Sequence, residues 1–422
     1  MKQFIFILFL VSTSLALFAQ WPVKVEMVKT DSGWQIMRGG EPYYVRGAGG
    51  HTQMDVVVDC GGNSIRTWGL EDAKTSLDEA QKRGLTVMVG IWMSHERHGF
   101  NYSDEWAVSD QLKAVKNAVM ELKDHPALLF WGIGNEVDLF YTDLNVWDAV
   151  ENLAAMIHEV DPNHPTCTVT AGIDVAEIQL IKSHCPSIDL IGINTYGGID
   201  VVPDAIDLYG WDKAYMITEW GPNGHWEVAK TAWGAPYEQT STEKMESYGK
   251  RYTDNIAKDK EQCVGSYVFH WGQKQETTPT WYGVFLEDGS QTGAIDAIYK
   301  AWNCKEPPNR APLIKSMSVN GTPLGKDLYV KRGAKNTVVA DIEDQDGDEM
   351  KVTWEFLPES QDIKSGGDLE MRPESLEGLV MRQKGGEMTF RSPIRSGAYR
   401  LFIYVHDPSG KVATANTPFL VE

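Results

Sequence analysis

The chain has 422 residues, with 39 basic against 59 acidic side chains and a net charge of -20. The carboxylates are spread along the sequence rather than gathered in a tail, which repels phosphate backbones and argues against nucleic acid while leaving neutral or cationic ligands open. A mature length of roughly 400 residues exceeds one small domain and fits a barrel of about 250 residues with a further module of about 100.

Lys2, the apolar run from Phe4 to Leu10 and the small residues leading to Ala19 follow the order of a secretory signal peptide. Residues 1–19 are therefore expected to be removed and the protein exported, to the periplasm or beyond; an uncleaved N-terminal anchor helix is the competing reading. The run is short for a membrane span, and no later segment approaches ~20 uninterrupted apolar residues. No Cys stands at its exit to accept a lipid. The five cysteines, Cys60, Cys167, Cys185, Cys263 and Cys304, form no C-x-x-C pair and no zinc-like spacing with His. Their odd number prevents complete internal pairing; export would permit a disulfide, yet most read as small apolar residues in or beside strands. Neither a metal nor a cofactor is expected.

Within residues 20–304, short β-branched or aromatic runs alternate with runs of helical period, the pattern of a parallel sheet with helical crossovers. Predicted strands are Tyr43–Arg46, Ser64–Thr67, Thr86–Ile91, Leu128–Ile133, Thr166–Thr170, Leu190–Asn194, Tyr215–Thr218 and Ser266–His270. Predicted helices include Asp72–Arg83, Asp110–Lys123, Val146–Val160, Val175–Ser183 and Thr242–Lys258, where apolar residues recur at three- and four-residue steps. Eight strand units in succession favour a closed (β/α)8 TIM barrel, an α/β fold, over an open doubly wound sheet. Gly47-Ala48-Gly49-Gly50 is too imperfect a phosphate turn to support the latter.

The proline-rich stretch 305–312 reads as a linker. Beyond it, over 313–422, the period changes to two: Val338-Val339-Ala340, Met350 to Phe356, Glu387 to Arg391 and Tyr399 to Val405 suggest a small all-β immunoglobulin-like sandwich. Inside it, residues 341–348 crowd carboxylates around Gly347, a composition that suits either calcium or a solvated acidic turn. The solvated turn is favoured, because the bidentate Glu of a full calcium loop is missing from its place.

Barrel chemistry sits at the C-terminal ends of strands. Glu136 follows the fourth predicted strand in Trp131-Gly132-Ile133-Gly134-Asn135-Glu136, and Glu219 ends the seventh in Ile217-Thr218-Glu219-Trp220-Gly221. Strands four and seven face each other across an eight-stranded ring, so the two carboxylates can flank one sugar. Glycoside hydrolysis needs such a pair, one group to protonate the leaving oxygen and one to attack, and a separation of about 5–5.5 Å implies retention of configuration. Either Glu alone would read equally well as a surface carboxylate capping the next helix; the two contexts together point to chemistry. The nucleophile must be charged, and the acid must keep its proton through apolar walls, to which Trp131 and Gly134 could contribute, or through its partner's negative field.

These two motifs resemble the signatures of glycoside hydrolase clan A, the retaining barrel enzymes, over roughly residues 25–303. The resemblance implies Glu136 as acid/base and Glu219 as nucleophile, with Asn135 on the sugar 2-hydroxyl. It further implies Arg66 keeping the nucleophile ionised, Tyr196 hydrogen-bonded to it and Trp271 as the platform beneath the reacting sugar. Trp220 and His95 join the expected substrate-binding set, although a lone His such as His95 is more often structural. Aromatic residues at strand ends, among them Trp68, Trp92, Trp226, Trp233, Trp281 and Tyr282, suit sugar faces, and about half of such rings serve ordinary packing.

Within the clan the chain resembles the family 2 barrel domain, but without the modules that precede the barrel in the large β-galactosidases. Gly134-Asn135-Glu136-Val137 resembles the β-1,3-glucan-active families 158 and 72, which makes a β-linked oligo- or polysaccharide the expected partner and β-1,3-glucan the leading substrate. Transglycosylation by the same residues, with Trp226, Trp233 and Trp281 as acceptor subsites, and a non-catalytic glycan-binding protein are the alternatives. A metal-dependent hydrolase lacks its His spacings. Oligomeric state is not legible.

Overall fold

A computed structural model describes residues 22–422; the expected signal peptide lies outside them. Eight parallel strands close into a barrel: Val45–Gly49, Ser64–Arg66, Thr86–Ile91, Leu128–Ile133, Thr166–Ala171, Leu190–Asn194, Ala214–Trp220 and Cys263–Val268. They are called barrel strands one to eight below. Helices follow them, Met54–Asp59, Ala73–Lys82, Glu105–Leu122, Asn145–Val160, Val175–His184, Val202–Leu208, Ser241–Arg251 and Gly293–Asn303, and cover the outside. No helix among the described residues is long and apolar enough to cross a membrane.

Strand one begins later than expected because Tyr43 pairs with Ile36 in an antiparallel meander of Val25–Thr30, Gly33–Arg38 and Glu41–Tyr43. Val25, Ile36, Met27 and Trp34 of this meander pack with Met88, Phe130, Met216 and Tyr267 of the barrel, closing its lower end with apolar surface. Gly47-Ala48-Gly49 is barrel strand rather than a phosphate turn: a Cβ on Gly47 would lie 2.2 Å from the Tyr267 ring, so the neighbouring strand supplies the filling bulk.

The C-terminal residues form two packed sheets around Val338, Phe356, Phe390, Leu401, Ile403 and Phe419. One sheet carries Leu313–Val319, Lys335–Glu343, Glu387–Arg391 and Val380–Lys384 with the short Thr322–Pro323. The other carries Lys351–Pro358, Gly397–His406 and Lys411–Val421 with the short Tyr329–Val330, and adds Gln291–Thr292 from the barrel, parallel to Lys411–Val412. The linker is anchored: Arg310 pairs with Asp346 at 2.7 Å, and the Ala311 N–H donates to Asp296 at 2.6 Å. In the acidic turn, Asp344 accepts the N–H groups of Asp346 and Asp348, each at 2.9 Å, and Asp348 accepts from Asn309 at 2.7 Å. Carboxylate oxygens of Asp344, Asp348 and Asp407 gather within 4.8 Å of one another there. All five thiols are free, four of them buried.

A buried polar network joins the two units. Glu238, after strand seven, accepts from Lys244 (2.6 Å), Thr278 (2.6 Å), Thr280 (2.8 Å) and Asn416 of the sandwich (2.6 Å). Arg400 of the sandwich pairs with Glu359 and donates to Asn416 and to the Pro236 carbonyl of the barrel. Such a cluster is stable only when every charge keeps its partner. Glu238→Ala leaves the Lys244 ammonium buried and unpaired, and chemical denaturation should show a loss of about 3–5 kcal/mol; Glu238→Gln should lose less, since it keeps an acceptor oxygen.

Candidate active site

Parallel strands deliver their C-terminal ends to one face, and the side chains that close strands two, four, six and seven meet there. Arg66 ends strand two, Asn135 and Glu136 follow strand four, Asn194 ends strand six and Glu219 stands next to last in strand seven. After Gly134 (φ +72°), Glu136 itself takes a left-handed backbone (φ +53°). A non-glycine residue holds that conformation only where the surroundings enforce it. The Glu136 N–H donates to Val169 O of strand five at 2.9 Å, and its carbonyl accepts the Leu139 N–H at 3.0 Å. The turn therefore places the carboxylate in the cleft while its backbone stays fastened to the barrel.

Three donors converge on Glu219. Arg66 Nη1 (3.0 Å) and Trp68 Nε1 (2.7 Å) reach Oε1, and the Tyr196 hydroxyl reaches Oε2 (3.1 Å). Arg66 also donates to the Thr218 carbonyl (2.8 Å) and to Asn135 Oδ1 (2.7 Å). Asn194 donates from Nδ2 to both Asn135 Oδ1 (3.1 Å) and Glu136 Oε1 (2.8 Å), and its Oδ1 accepts from Thr218 at 2.8 Å and Arg66 at 3.4 Å. These partners settle which way the amide points. Asn135 has its carbonyl oxygen occupied, so what it offers the cleft is its NH2. One chain of hydrogen bonds thus runs Glu136, Asn194, Arg66, Glu219.

The two carboxylates sit in different fields. Glu219 is nearly buried beside the Arg66 guanidinium, the environment of an anion. Burial, and then the negative charge of Glu219, push Glu136 up to about 7, against the opposing Asn194 hydrogen bond and the positive charge of Arg66. One acid that holds its proton near neutrality and one anion fixed by three donors is the division of labour that double displacement at a glycosidic centre requires.

The cleft encloses about 700 Å³. Trp68, Trp92, Phe140, Tyr196, Trp226 and Phe269 supply its aromatic walls, with Glu227, His270, Lys274 and Glu276 as polar lining. Residues Ser365 to Asp368 of the sandwich line it too. Sequence reasoning gave Asn194 no role, although its place at the end of strand six was the available signal. Trp68 lines the cleft as its place at a strand end suggests, and its indole N–H in addition donates to Glu219. For the sandwich residues the sequence held no signal.

Three expected substrate contacts lie elsewhere. Trp220 is fully buried against Tyr248 and Tyr252: side chains alternate along a strand, so with Glu219 facing the barrel interior its neighbour faces the helices. Trp271 is fully buried as well, stacked on Trp302 of the last helix, with its N–H directed to the Gln53 carbonyl at 3.3 Å; Phe269 and His270 occupy the cleft wall in its place. His95 is packed against Trp92, with Nδ1 2.5 Å from Arg97, and burial followed by the Arg97 charge pushes it down to about 4, so it remains neutral. It supports Arg97 behind the cleft rather than lining it. Trp131 turns outward to Asp161 (2.8 Å), Trp233 packs on Tyr329, and Trp281 is buried with its N–H on the Asn223 carbonyl. Of the three rings considered as acceptor subsites, Trp226 alone lines the cleft.

Comparison with known proteins gives this geometry a family. Residues 63–274, half of the 422-residue chain, match the family model described as glycosyl hydrolases family 2, TIM barrel domain. A β-glucuronidase of Felis catus is 23% identical over 225 residues, covering 48% of this chain and 30% of that protein. Among solved structures, a Faecalibacterium prausnitzii β-glucuronidase aligns with a TM-score of 0.52 and 18% identity over 66% of this chain and 51% of its own. A putative β-galactosidase from Bacteroides fragilis aligns at 0.51 and 15% identity over 95% of this chain and 57% of its own. At such identities the likeness carries the fold alone, and the chain spans about half the length of these structures and less than a third of the feline relative. The barrel and the family match agree, and the chain belongs to the glycosyl hydrolases of family 2 through its TIM barrel domain.

Proposed function

We propose that the protein is a retaining β-glycosidase acting by double displacement. The observation that carries this reading is the single hydrogen-bonded network holding one carboxylate under three donors and a second one at about 7. Glu219 attacks the anomeric carbon as the bond to the leaving oxygen breaks, and that oxygen takes the proton of Glu136. The sugar is then esterified to Glu219, whose charge is gone. Glu136, now a carboxylate, takes a proton from water, and the hydroxide adds to the anomeric carbon and releases Glu219. Asn135 offers its NH2 to the 2-hydroxyl of the reacting sugar.

For substrate, we propose a neutral β-glucan, with β-1,3-glucan first. Support comes from charge: beside the protonated Glu136, the carboxylates of Glu219, Glu227, Glu276 and Asp368 line the cleft, against Lys274 as its lysine. Burial and then the Lys274 charge push His270 down to about 4, so it adds no cation at neutral pH. Exposed Trp92 and Trp226 offer faces to sugar C–H groups. The names of the relatives suggest a glucuronide or galactoside instead, and Lys274 is the residue that would meet a uronate. Its ammonium is already 2.8 Å from Glu276, so that pair would have to open. Resolution of the intermediate by a sugar hydroxyl would use the same residues, with Trp226 under the acceptor. Export after cleavage near Ala19 belongs to the same proposal and suits a polysaccharide substrate.

Five measurements test this reading. Glu219→Gln should lower kcat by about 10³-fold or more while oligosaccharide binding persists; turnover retained at the wild-type level rules out the nucleophile, and tight binding by an inert wild type would favour a glycan-binding protein. Glu136→Gln should lose a similar factor on natural glycans but far less on aryl glycosides whose leaving group needs no proton. The pH profile of kcat/KM should fall on the alkaline side near 7, where Glu136 loses its proton. In Glu219→Gln the repelling charge is absent, so carbon-13 NMR should find Glu136 titrating lower, and an unmoved titration contradicts the coupling. A product-size screen over laminarin, curdlan, mixed-linkage glucan, mannan and galactan, with aryl glucuronide and aryl galactoside alongside, selects the substrate.

A further inference from the structure

The sandwich chain between Pro358 and Val380 leaves its sheet and travels to the barrel mouth. Its tip is a compact loop: the Met371 N–H donates to Asp362 at 2.9 Å, and the Lys364 N–H to Glu370 at 2.9 Å. Gly366 (φ +66°) and Gly367 (φ +70°) turn the tip in consecutive left-handed conformations. Both positions lie close against the barrel: a Cβ at Gly366 would meet the Arg97 guanidinium at 2.7 Å and Leu139 at 3.1 Å, and one at Gly367 would meet Lys274 Nζ at 2.8 Å.

Both ends of the tip are fastened to the barrel. On one side Asp368 accepts from Arg97 (3.3 Å) and pairs with His98 (2.8 Å), both in the loop after strand three. On the other, Glu370, only 3% exposed, accepts the Thr277 N–H at 2.6 Å in the loop after strand eight. The loop thus spans the mouth between the loops after strands three and four, at Arg97, His98 and Leu139, and the loop after strand eight, at Lys274 and Thr277. At the opposite edge the cleft lining comes from barrel loops, through Ala171, Ile173, Gly198 and Val201.

We propose that residues 362–371 are the end wall of the substrate cleft, limiting how many sugar units extend past the reacting ring toward the sandwich. The sandwich is then a specificity-determining part of the site. This inference rests on the glycosidase reading for its substrate but on the contacts above for its geometry.

The full-length protein tests it with two variants that unfasten the wall from different sides, Asp368→Ala combined with Glu370→Ala, and Arg97→Ala. The first readout is the ratio of kcat/KM on a β-1,3-linked glucose hexasaccharide to that on the trisaccharide. Opening the wall should raise this ratio by about fivefold or more and lengthen the released products; an unchanged or lowered ratio overturns the proposal, since a general loss of stability would depress both lengths alike. The second readout is hydrogen exchange in the peptide covering 272–280, which contains the Thr277 N–H. It should quicken in the double variant, and unchanged exchange overturns the wall. Wild type inert toward both oligosaccharides would sink the substrate reading, while the exchange measurement would still decide the wall.

Discussion

The site depends on one buried cation. Arg66 is 2% exposed, and a guanidinium so placed is tolerated only when an anion and several acceptors replace its lost water. Glu219 supplies the anion, and Thr218, Asn135 and Asn194 supply the acceptors. Strands two, four, six and seven are therefore tied at their ends by one planar group, whose fork of donors fixes direction as well as charge. The carboxylate geometry follows from a requirement of folding: leaving Arg66 unpaired would cost several kcal/mol, so the barrel cannot close comfortably without presenting Glu219 and Asn135 in this arrangement.

Much of this was legible in the sequence, for local reasons. Short β-branched or aromatic runs alternating with three- and four-residue periods located the barrel strands, and Thr86–Ile91, Leu128–Ile133 and Leu190–Asn194 lie where their apolar runs said. The motif at a strand end announces a carboxylate because a charged side chain after an apolar run has only the barrel mouth to face. What sequence handled badly were positions decided by which way a side chain turns. Trp220 and Trp271 stand beside cleft residues in the chain and point into the helix layer. Period-two alternation settles Trp220 once Glu219 is known to face inward. For Trp271 nothing local decides, because it lies beyond the end of strand eight, where alternation no longer applies.

The wall from the sandwich was illegible for a different reason. Contact between residues 366–370 and residues 97, 139, 274 and 277 is long-range, and the stretch carries no hydrophobic period. Its Gly-Gly pair would serve as well in any exposed turn. Only the folded molecule shows that these glycines lie against Arg97, Leu139 and Lys274 of the barrel. The Glu238–Lys244 and Arg400–Glu359 groups behave likewise: each reads as an ordinary surface charge, yet together they fill the seam between the units.

The pairing of Gln291–Thr292 with Lys411–Val412 bears on how such a chain could be divided or recombined. The two residues precede the last barrel helix, so a cut at the proline-rich stretch would leave this short segment on the barrel side while removing the strand that satisfies its backbone. A foreign module grafted after that stretch would have to present an edge of matching direction to the same spot. The two halves are therefore joined through backbone as well as side chains, even though the composition of the chain advertises a seam.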